Sequence, residues 1–443
     1  MGQKDSNAML VLPIGLMLFS FFFGAGNLIF PPVLGQQAGN NVWLATLGFC
    51  LTGVGFPLLG ILAMAINRHA TPDAMALPVH PTYAKAVTIL SALTIGPFFA
   101  IPRTAAVSYD TGMMVFLSPE YQTLGLALYS ALFFTLTYFF AVNPSKIVDN
   151  IGKIMTPLLL LGLAVLLGSV FAAPMSPIQQ PTQAYTTAPF FKGFSEGYNT
   201  MDLLSSMLFS TAAIRAIEYQ GITEEKAMTK MLIGAGLVAA ACLGFVYASI
   251  AYAGATSVGL LGVASNGAQL LSQISLHYFG NLGKLVLALI IFFACITTSI
   301  GLVTSIASYF AKDNSVHLSY ERIVLYICIF SFAVSNVGLT NIIQFAIPVL
   351  CILYPITIAM VILNIGKYLF KGDVYIFRSC LGLTTIFAIF DGLHAAGIDT
   401  GLANKIFSQY IPLYDIGFGW IFPCVLGIIA GFIWKAVNQK EAL

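Results

Sequence analysis

Residues 20–32 read Ser-Phe-Phe-Phe-Gly-Ala-Gly-Asn-Leu-Ile-Phe-Pro-Pro and lie within the first long apolar segment of the chain. Glycine destabilises a helix interior by about 1 kcal/mol relative to alanine, so Gly24-Ala25-Gly26-Asn27 predicts a break in this helix. In a bilayer, backbone groups opened by a break need protein, water or a ligand to satisfy them. Broken helices near mid-membrane are the usual ion and substrate sites of secondary transporters. The break therefore indicates a function as well as a membrane location.

The composition is that of a protein embedded in a bilayer. Of 443 residues, 58% are hydrophobic and 8% are charged, whereas soluble domains carry about 25% charged residues. The formal net charge of +2 is too small to indicate nucleic acid as a partner. The seven cysteines are scattered without Cys-x-x-Cys spacing, which favours a packing role over metal binding. The lipid bilayer is therefore the expected surrounding.

Hydrophobic segments of about 20 residues are long enough to span a bilayer as helices. The predicted spans cover residues 8–34, 41–66, 86–117, 123–142, 148–173, 193–215, 229–254, 284–310, 320–337, 340–364, 375–395 and 413–434. The sequence thus predicts an all-α polytopic membrane protein with about twelve transmembrane helices.

The distribution of Lys and Arg predicts the orientation. With a cytoplasmic N-terminus, fifteen of the nineteen basic residues fall on the cytoplasmic side. Three fall on the outer side, Lys192, Lys284 and Lys405, and Arg103 lies within a span. Cytoplasmic loops of membrane proteins carry such an excess of basic residues. We therefore predict an even number of spans, with both termini in the cytoplasm.

A second polar interruption suggests internal symmetry. Span 6 contains residues 193–202, Gly-Phe-Ser-Glu-Gly-Tyr-Asn-Thr-Met-Asp, the most polar stretch inside any predicted span. It lies five spans after the first break, so the two broken helices run in opposite directions. Transporters with inverted repeats show this arrangement. The prediction is a five-helix repeat over 8–173, an inverted repeat over 193–364, and two additional helices over 375–434.

The two breaks offer groups that suit an amino acid. Backbone amides at the start of a half-helix suit a carboxylate, and exposed carbonyls suit sodium or an ammonium group. A zwitterionic amino acid matches both. The candidate substrate-binding residues are Gly24, Ala25, Gly26, Asn27, Glu196, Gly197, Tyr198, Asn199 and Thr200. The alternative is that the glycines only let helices pack closely.

Span 8 contains a possible cation site. Its sequence Ala294-Cys-Ile-Thr-Thr-Ser299 places the hydroxyls of Thr297 and Thr298 on adjacent positions, one turn after the Ala294 carbonyl. Sodium prefers oxygen ligands, and neutral ones suffice for a monovalent ion. The alternative is that both hydroxyls hydrogen-bond to carbonyls of their own helix. Spacing alone leaves the two interpretations open.

Ionisable residues in the spans are a further set of candidates. A charge at the bilayer centre costs about 2.5–3.5 kcal/mol, so it should face a cavity or a partner. Arg103 and Asp110 are seven residues apart in span 3, too far for a direct pair, so each should meet another helix. Proton coupling through Asp202, Glu196 or Asp110 is the alternative to sodium coupling.

The motifs of other functional classes are missing or out of context. Residues 193–197 match the Gly-x-Ser-x-Gly of hydrolases, but that motif needs a strand-to-helix turn in a soluble sheet. The Gly-Lys pairs at 152, 283 and 366 lack the rest of a P-loop, which argues against ATP-driven transport by this chain alone. The sequence contains no repeated motif of the kind that forms a selectivity filter, so it does not favour a channel. We therefore predict a carrier, not an enzyme.

Four stretches carry a family resemblance. They are FFFGAGNLIFPP (21–32), LGFCLTGVGFPLLG (47–60), IGPFFAIPRTA (95–105) and EGYNTMD (196–202). The chain resembles the bacterial branched-chain amino acid:cation symporters of the BrnQ type over nearly its whole length. This resemblance implies cotransport of leucine, isoleucine and valine with a cation through the bacterial inner membrane, without an organic cofactor.

That family is similar to the wider transporter fold of five-plus-five inverted repeats. The wider fold often holds one Na⁺ between the first break and an Ala-x-x-[Ser/Thr]-[Ser/Thr] stretch of span 8. Here the resemblance implies a Na⁺ site at Ala294, Thr297 and Thr298 with the Ser20 and Phe23 carbonyls, and Ser299 is an alternative hydroxyl. The substrate side chain is expected between spans 3, 6 and 8. The residues expected to line its pocket are Phe98, Ile101, Phe194 and Tyr198.

Overall fold

A computed structural model describes residues 3–67, 71–114, 117–143, 153–264, 266–312, 317–370 and 373–441. All regular structure in these residues is helical, as the sequence predicts. Residues 148–152 of the predicted fifth span lie outside the described residues, as do three of the cations assigned to the cytoplasmic side, Arg68, Lys146 and Lys371.

The α-helices of the described residues follow the order of the predicted spans. Their bounds are α1 Gln3–Phe22, α2 Ala25–Ala38, α3 Val42–Cys50, α4 Phe56–Asn67, α5 Pro81–Leu93, α6 Ala100–Gly112, α7 Gln122–Ala141, α8 Thr156–Ala172, α9 Pro189–Glu196, α10 Asp202–Tyr219, α11 Glu225–Leu261, α12 Gly267–Lys312, α13 Tyr320–Ser335, α14 Leu339–Ile365, α15 Lys367–Phe370, α16 Val374–Ala395, α17 Leu402–Tyr410 and α18 Ile421–Glu441.

Within the described part of the chain, nine helical segments are long and apolar enough to cross a membrane. The first, Ala25–Ile66, joins the second half of predicted span 1 to span 2. Predicted spans 6 and 9 are not among the nine. Span 6 is interrupted between α9 and α10, and α13 has only 16 residues. The number twelve and the inverted repeat therefore stay predictions, while the all-helical membrane class is confirmed.

The first helix break lies at Phe23 and Gly24, between α1 and α2. Gly24 is extended, with φ −123° and ψ −153°. The predicted break also included Ala25, Gly26 and Asn27, but these residues form the first turn of α2. The reason is local: the Asn27 side chain accepts a hydrogen bond from the Gly24 amide at 3.2 Å, which caps the second half-helix.

The second break separates α9 from α10 and coincides with the polar stretch that the sequence indicates. A 3₁₀ turn spans Gly197–Thr200, and Met201 follows in the left-handed region at φ 65°. A non-glycine residue is strained in this region. The hydroxyl of Thr200 accepts a hydrogen bond from the Asp202 amide at 3.3 Å, which supports the start of α10.

Glycines fix α2 against α11 at backbone distance. A Cβ added to Gly35 would lie 1.9 Å from the Ala251 carbonyl oxygen, and one added to Gly254 would lie 2.0 Å from that of Pro32. Small residues allow this close approach of membrane helices. The contact holds the first break beside α11, the helix that carries Tyr247.

Helices α16 and α18 pack against each other, and the residues just before α18 reach back to α9. An ion pair joins Lys435 Nζ to Asp373 Oδ2 at 2.9 Å. The ring of Phe418, just before α18, lies 5.4 Å from that of Phe191 and 5.2 Å from that of Phe194. Phe418 therefore packs against α9, the half-helix that precedes the second break.

Candidate functional site

Three buried side chains join the two helix breaks. Asn27 Nδ2 of α2 donates to Asp202 Oδ2 of α10 at 2.6 Å and also donates to the Tyr247 hydroxyl of α11. Tyr247 in turn donates to Asp202 Oδ2 at 3.0 Å. All three residues are at most 4% exposed. The carboxylate of Asp202 is thus the common acceptor that holds the breaks together.

Arg103 of α6 lies against both breaks. Its Nη1 donates to the carbonyl of Asn199 in the second break at 2.7 Å. At the first break, a Cβ on Gly26 would lie 2.7 Å from Arg103 Nη2, so only glycine leaves room for the guanidinium. The guanidinium also lies over the ring of Phe30, with Cζ 5.6 Å from the centroid. The expectation that Arg103 meets a group on another helix is confirmed.

A small enclosed cavity lies between the breaks. It is lined by Phe21, Phe22, Gly24, Ala25, Gly26, Asn27, Ala100, Arg103, Thr104, Thr200, Asp202, Ser205, Phe209, Thr298 and Leu302. Its free space holds about one or two water molecules, so a leucine-sized ligand requires its lining side chains to move. Polar and charged groups form one part of the wall, and aromatic and aliphatic side chains form the other.

Several predicted substrate residues lie in this wall, while others lie behind it. Gly24, Ala25, Gly26, Asn27 and Thr200 line the cavity. Among the described residues, the other four candidates of the breaks and the two of span 3 are not in its lining. These are Glu196, Gly197, Tyr198, Asn199, Phe98 and Ile101, together with Phe194 of the expected apolar pocket.

The residues behind the wall support the second break. Glu196 forms an ion pair with Lys192 at 2.8 Å and accepts a hydrogen bond from Asn199 Nδ2 at 3.1 Å. Tyr198 stacks on Tyr354 with ring centroids 4.4 Å apart. A Cβ on Gly197 would overlap the Thr52 hydroxyl at 1.8 Å, so this glycine allows close packing of the break on span 2.

The span 3 candidates differ from one another in environment. Ile101 is fully buried, and its carbonyl accepts a hydrogen bond from Thr104 at 2.6 Å. Phe98 is 40% exposed and lies 5.5 Å from the ring of Phe330. Asp110 lies two turns beyond Arg103 on α6, outside the cavity lining. Only Arg103 and its neighbours Ala100 and Thr104 bring this helix to the cavity.

The first break also meets α12 through a cluster of neutral oxygen atoms. Thr298 Oγ1 donates to the Ser20 carbonyl at 2.9 Å, and Thr297 Oγ1 lies 3.3 Å from the same oxygen. Thr297 Oγ1 is also 2.8 Å from the Phe293 carbonyl and 3.1 Å from the Ala294 carbonyl. The cluster thus brings four of the five predicted sodium ligands together. The cluster also contains hydrogen bonds from Thr297 to carbonyls of its own helix, as the alternative to a cation site expects.

Other predicted cation-site residues have different surroundings. The ring of Phe23 stacks on that of Phe19 at 5.1 Å. Ser299 accepts from the Thr137 hydroxyl at 3.3 Å, on the side of α7. The Ser20 hydroxyl lies 2.7 Å from that of Thr156 in α8. Neither Thr156 nor Tyr247 was indicated by the sequence, because both lie in apolar helices without a recognisable motif.

Comparisons with known proteins identify the family of this chain. A family model described as "Branched-chain amino acid transport protein" matches residues 7–438. The chain belongs to this family. The family comprises transport proteins rather than enzymes, and its match confirms the resemblance drawn from the four motifs.

Relatives in the family are similar over their full length. The chain is 42% identical over 440 residues to the branched-chain amino acid permease BrnQ of Bacillus subtilis, covering 99% of this chain and all of that protein. It is 43% identical to BraB, a permease of the same description from that organism, covering 95% of this chain and 94% of BraB. A Pseudomonas aeruginosa branched-chain amino acid transport system 2 carrier protein is 37% identical, with 97% of each chain covered.

Two solved structures share the fold of this family member at low sequence identity. Mhp1, a nucleobase-cation-symport-1 family transporter in a closed conformation with bromovinylhydantoin bound, superposes with a TM-score of 0.60 at 13% identity. The match covers 97% of this chain and 93% of Mhp1. MhsT in complex with L-phenylalanine gives a TM-score of 0.52 at 16% identity, covering 95% of this chain and 97% of MhsT.

Proposed function

We propose that this protein imports leucine, isoleucine and valine by symport with Na⁺, through alternating access around the cavity between the helix breaks. The observation that carries the proposal is the meeting of both breaks at one cavity, with a neutral oxygen cluster beside it. The relatives named as branched-chain amino acid permeases support the substrate class.

The cavity wall suggests how the substrate lies. The first amides of α2, near Gly26 and Asn27, suit the substrate carboxylate. Carbonyls of both breaks suit its ammonium group. The aromatic and aliphatic wall contains Phe22, Phe209 and Leu302, which suit a branched aliphatic side chain. One methylene separates substrates by only about 1–3 kcal/mol, so we expect leucine, isoleucine and valine to compete.

The oxygen cluster suits a sodium ion. Rotation of the Thr297 and Thr298 hydroxyls would release the Ser20 carbonyl, and all three oxygens would then face one cation. Binding there would order the first break against α12 before the substrate arrives. Proton coupling is the alternative candidate, and the buried position of Asp202 between the breaks favours that residue as the carrier.

The organisation around this site belongs to the same proposal. We infer two inverted five-helix repeats over 8–173 and 193–364, with the helices of 375–434 outside them. The placement in a bacterial inner membrane rests on the family resemblance, and the cytoplasmic position of the termini rests on the distribution of Lys and Arg.

Radiolabelled leucine uptake into proteoliposomes tests the proposal, with a sodium gradient imposed first and a proton gradient second. Thr298→Ala removes the hydroxyl of the cluster. Thr357→Ala is the matched control, because Thr357 is also buried and its hydroxyl donates to a carbonyl of its own helix, that of Leu353, at 2.8 Å. We expect uptake to follow sodium, to fall in Thr298→Ala and to persist in Thr357→Ala.

Uptake that follows only the proton gradient would discard the oxygen cluster as the coupling site. Failure of the correctly inserted wild-type protein to take up leucine under either gradient would overturn the transport proposal itself.

A further inference from the structure

Arg103 and Asp202 are two buried ionisable residues that line one cavity. They are 3% and 2% exposed. They are near enough to attract each other electrostatically, yet their hydrogen bonds go to different groups. Arg103 donates to the Asn199 carbonyl, and Asp202 accepts from Asn27 and Tyr247. A buried pair of opposite charges that is held apart is arranged to receive a ligand between them.

The guanidinium has a free edge. Nη1 is engaged with Asn199, while Nε has no hydrogen-bond partner among the described residues. The Nε and Nη2 atoms form the side of a guanidinium that binds a carboxylate through two parallel hydrogen bonds. A buried donor without a partner is rare in native structures and needs an explanation.

The free edge also lies beside the positive end of a helix. Nη2 is 2.7 Å from the position that a Cβ on Gly26 would occupy, in the first turn of α2. Backbone amides and the dipole of α2 favour an anion at this end. Two independent features of the fold therefore favour negative charge at the same place.

The carboxylate of Asp202 is also positioned by hydrogen bonds. Asn27 and Tyr247 both donate to Oδ2 of Asp202. Both donors stabilise the anionic form of this carboxylate, which lines the cavity, because a buried charge needs hydrogen bonds or a charged partner. The second carboxylate oxygen, Oδ1, is the group to accept hydrogen bonds from a cationic ligand.

We propose that Arg103 and Asp202 form a clamp for the two charges of an α-amino acid. Arg103 binds the α-carboxylate together with the amides of α2, and Asp202 binds the α-ammonium. This proposal rests on the proposed function and names the groups that recognise the backbone of its substrate. The clamp makes the carrier selective for zwitterions, whatever the aliphatic side chain.

The test compares leucine with two analogues that each lack one charge. Leucinamide keeps the ammonium group and loses the carboxylate, and 4-methylpentanoate keeps the carboxylate and loses the ammonium group. The purified protein binds labelled leucine in sodium buffer, and each unlabelled compound competes. The wild-type protein should prefer leucine to either analogue by at least about 100-fold, since two charge-assisted hydrogen bonds are lost.

The variants should separate the two charges. Arg103→Gln should reduce the preference for leucine over leucinamide to less than about fivefold and leave the preference over 4-methylpentanoate. Asp202→Asn should give the reverse pattern. Gly26→Ala tests the same contact without removing a charge, because its methyl group displaces Nη2, and it should weaken only the discrimination against leucinamide.

The outcomes distinguish this proposal from the proposed function. If the wild-type protein does not bind leucine, the proposed function fails. If it does bind leucine but Arg103→Gln and Gly26→Ala both keep the wild-type preference over leucinamide, the clamp is wrong and Arg103 only supports the second break. A purely structural role would weaken binding of all three compounds equally.

Discussion

The two helix breaks of this protein are stabilised by different kinds of side chain. The first break, at Gly24, is capped by a neutral amide and packs against the neutral hydroxyls of α12. The second break, at Met201, has a left-handed backbone with the charges of Arg103 and Asp202 on either side. A neutral oxygen cluster suits a monovalent cation, whereas separated charges suit a zwitterion. The proposed cation site and the proposed substrate site thus adjoin one cavity.

The largest effect is expected where the two breaks are joined. Asn27→Asp keeps the size of the side chain and its cap on Gly24 but replaces the donor to Asp202 with a second carboxylate. A buried charge without a partner costs about 3–5 kcal/mol, so leucine uptake at pH 7 should fall by at least about 100-fold. Uptake into proteoliposomes measures this loss.

A matched control is Asn41→Asp, because Asn41 lies away from the cavity and donates to the Tyr185 carbonyl. Its uptake should stay near that of the wild-type protein. Wild-type activity of Asn27→Asp at pH 7 would show that the hydrogen bond between the breaks does not matter for transport.

Two alanine substitutions at the first break should separate its contact with the oxygen cluster from its contact with Arg103. A Cβ on Gly24 would lie 2.7 Å from Thr298 Oγ1, whereas one on Gly26 would lie 2.7 Å from Arg103 Nη2. Overpacking costs about 1–3 kcal/mol, which corresponds to about 5- to 150-fold in affinity. Gly24→Ala should weaken the apparent affinity for sodium, and Gly26→Ala should weaken that for leucine.

Titrations of uptake against sodium and against leucine measure both constants. Gly244→Ala is the control, since a Cβ there meets nothing within 4 Å. If Gly24→Ala and Gly26→Ala change the two constants in the same proportion, the contacts with Thr298 and with Arg103 do not have separate functions.

A smaller effect is expected far from both breaks, at the ion pair between Asp373 and Lys435. Burial would raise the pKa of Asp373, but the hydrogen bonds from Lys435 and the Tyr375 amide outweigh it and hold the pKa below its usual value. The stabilisation is therefore present above the unfolded-state pKa and is lost as the pH falls through the folded-state pKa. Asp373→Asn should lower the free energy of unfolding by about 0.2–1 kcal/mol at neutral pH.

Thermal unfolding at several pH values measures this change, because asparagine keeps the helix cap and removes only the charge. The difference from wild type should shrink toward acid pH, and leucine uptake should be unchanged. A difference that grows toward acid pH would contradict the assignment.

The sequence predicts the first break better than the second. Glycines beside an asparagine in an apolar helix weaken it in a way that local propensity describes, and α1 does end there. The polar stretch of span 6 indicates an interruption, but the left-handed Met201 depends on packing that no local rule contains. For the same reason, the partners of Arg103 became clear only from the structure.

The cavity lining shows a similar limit. Gly24 and Thr200 follow from the breaks themselves, but Phe209 and Leu302 come from apolar helices whose orientation is set by tertiary packing. Phe98 and Ile101 were expected in an apolar pocket from their position in span 3, but Ala100, Arg103 and Thr104 line the cavity from this helix instead.

Hydrogen–deuterium exchange of the purified protein tests most directly whether the two breaks bind different ligands. Exchange is followed in choline buffer, then with sodium, then with sodium and leucine. Sodium alone should slow exchange in peptides covering residues 20–24 and 293–299, and leucine should add protection at residues 197–203. The account is wrong if sodium alone protects neither residues 20–24 nor residues 293–299. It is also wrong if leucine protects residues 197–203 equally in choline buffer.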